Sequence, residues 1–163
     1  GGGRRRGGLS AAGEGGIGDS ERRGSPAHRA PLGPTATEEV LERATRPLFL
    51  SHTRLMDDQG RGASPTTLRH LAEGDGVACA IFYRISTVDA LVDLLERLMD
   101  VCGPDGVGLG ADFYGTRHAP AEVPIVADFP RITEALLRRG HADATARGLL
   151  GETVLRLFDH VVG

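Results

Sequence analysis

Short runs of consecutive apolar residues alternate along the chain with longer stretches in which apolar residues recur every three or four positions. In "PLFLSHTRL", residues 47–55, Pro47-Leu48-Phe49-Leu50 is too short for a helix and predicts a buried strand over 47–51, with Ser51, His52 and Thr53 at its carboxyl end. "GVACAIFYRI" predicts a second buried strand over 76–83, and "GVGLGAD" a third over 106–111. Between them lie helix patterns with their own punctuation. "TATEEVLERAT" offers a capping box, Thr35 with Glu38, and a helix to about Ala44. "SPTTLRHLAEG" has Ser64 as N-cap, Pro65 in the first turn and Gly74 as the stop. "STVDALVDLLERLMDVCG" puts Leu91, Leu94, Leu95, Leu98 and Val101 on one helical face ending at Gly103. After "FYGTRHAPAEVPIVA", a long loop, "DFPRITEALLRRG" and "HADATARGLLGETVLRLFDHVV" supply closing helices. Strands separated by helices imply an α/β fold with a parallel sheet. Three strands are few for a self-contained sheet, and the pattern fits about the last three β/α units of a partial (β/α)8 TIM-type barrel.

Residues 1–34 break this texture. They are rich in Gly, Arg and Ser, bury too little apolar surface to offset their ordering entropy, and are expected to be disordered, leaving 35–163 as the structured part. Six arginines against Glu14, Asp19 and Glu21 make residues 1–36 net +3, so the remainder carries -6 of the overall -3. An Arg/Gly tract without interleaved aromatics and a net negative remainder argue against a nucleic-acid partner. No stretch is long and apolar enough to span a bilayer. Cys79 and Cys102 fit neither a disulfide framework nor a CxxC metal site, so reduced, buried thiols in a cytoplasmic protein are expected. The absence of lysine and asparagine points to coding bias rather than to chemistry.

In a barrel the chemistry sits at the carboxyl ends of the strands. His52 falls at the first such end, Tyr83 or its neighbour Arg84 at the second, and Asp112 at the third, among Gly106, Gly108, Gly110 and Gly115. A histidine near apolar residues is more often a hydrogen-bonded core residue than a ligand. An aspartate there is as often a turn residue. An imidazole and a carboxylate facing one pocket nevertheless suit a divalent metal and its water. "GVGLGADFYG" lacks the helix that a dinucleotide fingerprint requires directly after it.

"RPLFLSHTR", the arginine of "GRGASPTTLRHLAEGDGVACAIFY", "GPDGVGLGADFYG" and "LLRRGHADATARGLLGETVLRLF" together resemble peptidase family M19, the renal or membrane dipeptidases of the amidohydrolase superfamily, from about Leu32 to Val161. The resemblance implies a (β/α)8 barrel holding two zinc ions with a bridging hydroxide that attacks the dipeptide carbonyl. His52 matches the ligand histidine of the family's "SHS" motif, and Asp112 the aspartate of "GSDFDG", a proton shuttle from nucleophile to leaving amine. Arg61 matches the arginine that holds the substrate's terminal carboxylate, and Tyr83 is placed with it in the substrate-binding set. Without the resemblance, Arg61 in its Gly-flanked loop reads as a solvated charge.

The departures are specific. Tyr114 stands where the family has a second aspartate, Gly151-Glu152-Thr153 replaces a "GGN"-like turn, and the spacing from His52 to Arg61 is shorter than usual. The family's HxD pair and bridging glutamate have no counterpart. His28 lies near the place of the second ligand histidine, is offset from it within the low-complexity segment, and is left out of the ligand set. The expectation is a zinc dipeptidase in truncated form, with an incomplete binuclear zinc site, a dipeptide substrate and a tendency to form homo-oligomers; the alternative is a non-catalytic remnant or pseudoenzyme module of the same fold.

Overall fold

The computed structural model describes residues 27–28, 34–115 and 118–162. The chain order is β1 (Ala27–His28), α1 (Pro34–Arg43), β2 (Leu48–Thr53), α2 (Pro65–Glu73), β3 (Val77–Ile81), α3 (Val88–Cys102), β4 (Val107–Gly110), α4 (Pro130–Arg138), α5 (Asp143–Arg147) and α6 (Thr153–Val162). The strands form a four-stranded sheet in the order β1-β2-β3-β4, and every neighbouring pair is parallel. This is the expected α/β arrangement with one strand more than expected. Ala27 and His28 lie in the segment expected to be disordered, yet they pair with Leu48 and Phe49 of β2. An apolar strand has backbone donors and acceptors along both edges, and β1 meets those that β3 cannot reach. The rest of the expectation for 1–34 lies outside the described residues, except that Pro34 opens α1.

Local chemistry accounts for the helices. The Ser64 hydroxyl accepts from the Thr67 amide 3.0 Å away, with Pro65 at the first helical position, so α2 starts as the sequence predicts. Thr87 caps α3 in the same way, accepting from the Ala90 amide at 3.1 Å, and Gly103 ends it at φ 75°, the left-handed conformation that favours glycine. The capping box expected at Thr35 and Glu38 is not where the helix begins, since α1 starts at Pro34 and Thr35 lies within it; Glu38 instead reaches α2. Its carboxylate accepts from the hydroxyl of Thr67, which is 2% exposed, and so ties α1 to α2. The expected last helix is interrupted. Gly151 has extended rather than helical geometry and separates α5 from α6 across a wide turn at Gly148–Glu152.

β3 is buried on both faces, as a central parallel strand should be. Ala78, Ala80 and Phe82 pack with Leu68, Leu91 and Leu95 of the helix layer. Val77 and Cys79 pack on the opposite face with Leu157 of α6, joined by Phe49 and Val154. Each fully buried leucine contributes about 1.5–3 kcal/mol of transfer free energy. Both cysteines are free, and burial pushes the Cys79 thiol up to about 12 and the Cys102 thiol up to about 11. Cys79 is an inert core thiol, as the sequence predicts, whereas Cys102 is half-buried at the edge of the core.

α6 lies toward the amino ends of the strands. Arg156 donates to the carbonyl of Asp105, just ahead of β4, and Arg46, just ahead of β2, donates to the Val161 carbonyl at 2.6 Å. The face shared by Phe49, Val77 and Cys79 is therefore closed at its amino end by α6. Among the described residues no helix is long and apolar enough to cross a membrane.

Candidate functional site

The carboxyl end of β2 is irregular. Leu50 pairs with Ala78 and Thr53 with Ala80, so β2 spends one residue more than β3 over the same interval. Simple alternation from Leu48 and Leu50 would turn His52 toward the helix layer. The bulge restores it to the face of Phe49, Val77 and Cys79, a common use of bulges next to binding sites. His52 is half-buried there, and its Nδ1 lies 2.9 Å from the Ser51 hydroxyl. A ring nitrogen held in this way fixes the imidazole, and a metal at the other nitrogen would require the tautomer in which Nδ1–H donates to Ser51.

β4 reaches the same place from the other side of β3. A methyl group on Gly110 would overlap the backbone carbonyl of Ser51, so only glycine admits this approach. Two residues later Asp112 takes a positive φ of 51° and opens a turn in which the Gly115 amide donates to the Asp112 carbonyl at 2.9 Å. The exposed Asp112 carboxylate folds over Gly115, where a side chain would collide with both of its oxygens. The next residue, Phe113, packs edge-on against Phe82 with ring centroids 5.7 Å apart, and both rings meet Phe129. This aromatic cluster anchors the two turns whose rims carry Tyr83 and Asp112. Tyr83 lies in the turn after β3, which ends at Ile81 rather than at residue 83.

Arg61 sits between Gly60 and Gly62, both at positive φ, in a loop that folds back on the residues after β2. Its Nε and Nη2 each lie 2.7 Å from Asp57 Oδ2, and its amide donates to Asp57 Oδ1 at 3.0 Å. The hydrogen bonds from Arg61 hold the Asp57 carboxyl at about 2, below the usual carboxylate range. The short loop thus turns the Nε–Nη2 edge of the guanidinium to Asp57, and the Nη1–Nη2 edge lies outside that pair. Sequence reasoning passed over Asp57, although a carboxylate four residues before an arginine across a glycine turn is a readable signal.

Sequence reasoning also passed over Arg54. Its Nη2 donates to the Tyr83 carbonyl, and its Cζ lies 6.0 Å from the Tyr83 ring centroid. Burial first, then the like charge of Arg61, lowers its pKa.

The structure thus gathers His52, Asp112 and Tyr83 at the carboxyl ends of β2, β4 and β3, with Arg61 in the loop after β2. Tyr114, at the family's second aspartate, is fully exposed. His28 stays outside the gathered set. Its backbone lies in a short parallel strand beside β2, in register with Phe49 near the amino end of β2 and not level with His52. Among the described residues no three His, Cys, Asp or Glu side chains converge as a metal site.

The sequence model of the membrane dipeptidases, peptidase family M19, matches residues 2–162. The chain belongs to this family. The match starts at Gly2 rather than near Leu32, so the family pattern includes the segment that contributes β1. Membership brings hydrolase and metallopeptidase relatives with it, and solved structures agree on the fold. An amidohydrolase from Pseudomonas aeruginosa superposes with a TM-score of 0.88 at 24% identity, over 98% of this chain and 59% of its own. A metallopeptidase from Rhodobacter sphaeroides, liganded with a phosphinate mimic of the dipeptide L-Ala-D-Ala, gives 0.87 at 21% identity, over 94% of this chain and 47% of its own. The probable dipeptidase PvdM from Pseudomonas aeruginosa gives 0.89 at 17% identity, over 95% of this chain and 55% of its own. The M19 chain therefore spans about half the length of these solved relatives.

Proposed function

We propose that this chain is the carboxyl-terminal portion, about the last units, of a (β/α)8 dipeptidase barrel, and that its strand ends contribute part of a zinc-dependent active site for dipeptide hydrolysis. The observation that carries the reading is the bulge in β2, which turns His52 onto the face where Gly110 admits β4 and leads to Asp112. An extra residue at that place has no packing purpose, because Leu50 and Thr53 already keep their places against β3.

His52 is the ligand this chain supplies, with Ser51 fixing its ring. The donor types suit zinc, but their number among the described residues falls short of what one zinc requires, and a binuclear site needs more still. The remaining donors are assigned to the part of the fold that the solved relatives have and this chain does not span. Asp112 is the group that takes and returns a proton. Its exposure and left-handed turn leave the carboxylate free to rotate off Gly115 toward a substrate. Arg61 binds the terminal carboxylate of a dipeptide through its Nη1–Nη2 edge, and Tyr83 flanks the peptide.

On this reading the isolated chain binds zinc weakly and does not hydrolyse dipeptides. Elemental analysis after zinc loading and dialysis should return substoichiometric metal, reduced further in His52→Ala. Two tightly retained zinc ions per chain, or retention unchanged in His52→Ala, would overturn the assignment.

A further inference from the structure

Two arginines flank the turn after β3, and a third lies in the loop after β2. Arg54 and Arg84 both approach one ring, with their Cζ atoms 6.0 and 5.4 Å from the Tyr83 centroid. Arg61 is close enough to act on Arg54 as a like charge, as is Arg84, and the opposing carboxylate, Asp57, is already engaged by Arg61. Guanidinium groups brought together beyond the charge of their neighbours repel one another unless an anion joins them.

Backbone geometry concentrates the effect. Arg84 is exposed and stands at φ 60°, a left-handed conformation uncommon for a long side chain, held by its amide donating to the His118 carbonyl at 3.0 Å. Arg54 is tied to the Tyr83 carbonyl, and the His118 ring lies 5.9 Å from the Tyr83 ring. Beside them Arg84, Ile85, Ser86, His118 and Ala119 line a cavity of about 400 Å³, room for an amino-acid side chain.

We infer that Arg54 and Arg84, converging on Tyr83 at the carboxyl end of β3, receive the side-chain carboxylate of an acidic dipeptide whose terminal carboxylate is held by Arg61. The inference rests on the dipeptidase reading and names its substrate class. Arg84 supplies the selectivity. It is exposed beside the cavity, whereas Arg54 also serves the fold through Tyr83.

Calorimetric titration of the full chain with Ala-Asp and with Ala-Asn, at low ionic strength and with chelator present, separates the possibilities because nothing is turned over. Ala-Asp should bind about tenfold more tightly than Ala-Asn, the scale of a charge-assisted hydrogen bond. Arg84→Gln should shrink that ratio to about twofold or less, while Arg84→Lys, which keeps the charge, should retain most of it. Arg84→Gln changes an exposed side chain, and its thermal melt verifies that it folds. Equal binding of both dipeptides by the unsubstituted chain, or a preference that survives Arg84→Gln, would overturn the inference and leave the dipeptidase reading standing. Failure of both dipeptides to bind would overturn the two together.

Discussion

Gly110 and Ser51 are in direct backbone contact across β3, because a β-carbon on Gly110 would fall on the Ser51 carbonyl. The contact joins the end of β4 to the bulge of β2 and so sets the distance between the segments that carry His52 and Asp112. The obstacle is a main-chain carbonyl, which cannot swing aside. Gly110→Ala should therefore cost about 1–3 kcal/mol, read as a lowered thermal midpoint. Gly74→Ala is the control. Its methyl group would sit 3.6 Å from the Leu71 carbonyl, an ordinary contact, and its cost should stay within about 0.5 kcal/mol. Equal effects at the two sites would show that the contact is not tight.

Ser51 holds the His52 ring through Nδ1, so its removal should act on metal affinity rather than on folding. Ser51→Ala is expected to weaken the chain's residual zinc binding by about tenfold, with the melt in chelator unchanged. Zinc titration followed by imidazole nitrogen chemical shifts would reveal it, since the shift of His52 should lose its sharp response. An unaltered titration would remove Ser51 from the site.

The Asp57–Arg61 pair should respond to acid in a defined window. The Asp57 carboxyl is lowered from 3.8 to about 2, so the loop gains from the pair above the ordinary carboxylate range and loses it as the pH falls through about 2. Carboxyl-carbon NMR should place the Asp57 midpoint near that value. Arg61→Gln should move it back toward 3.8, because the first cause of the shift is the hydrogen bond from Arg61. A midpoint indifferent to Arg61→Gln would mean that the guanidinium is not held as described.

Leu155, Phe158 and Val162 are exposed at helical spacing and form an apolar stripe on α6. The chain is expected to self-associate through surface of this kind, with a sedimentation mass that rises with concentration. Leu155→Glu should suppress the rise. A monomer of constant mass at high concentration would count against it.

The elements that position the site were legible in the sequence because their signals are local. The apolar runs of β2, β3 and β4, the Ser64 cap and the glycine stops each act within a few residues, and these three strands lie within two residues of their expected bounds. His52, Tyr83, Asp112 and Arg61 could be named from residue type and motif. What those side chains face could not. The bulge that turns His52 depends on pairing with a strand 24 positions away, from Thr53 to Val77, and β1 is two residues long, too short for any periodicity to announce. The capture of Arg61 by Asp57, and the convergence of Arg54 and Arg84 on Tyr83, depend on loops closing over strand ends. Periodicity and capping fix what a segment becomes, because their energies are settled among near neighbours. Register, backbone approach and charge convergence are settled between segments distant in sequence, so only the tertiary structure decides them.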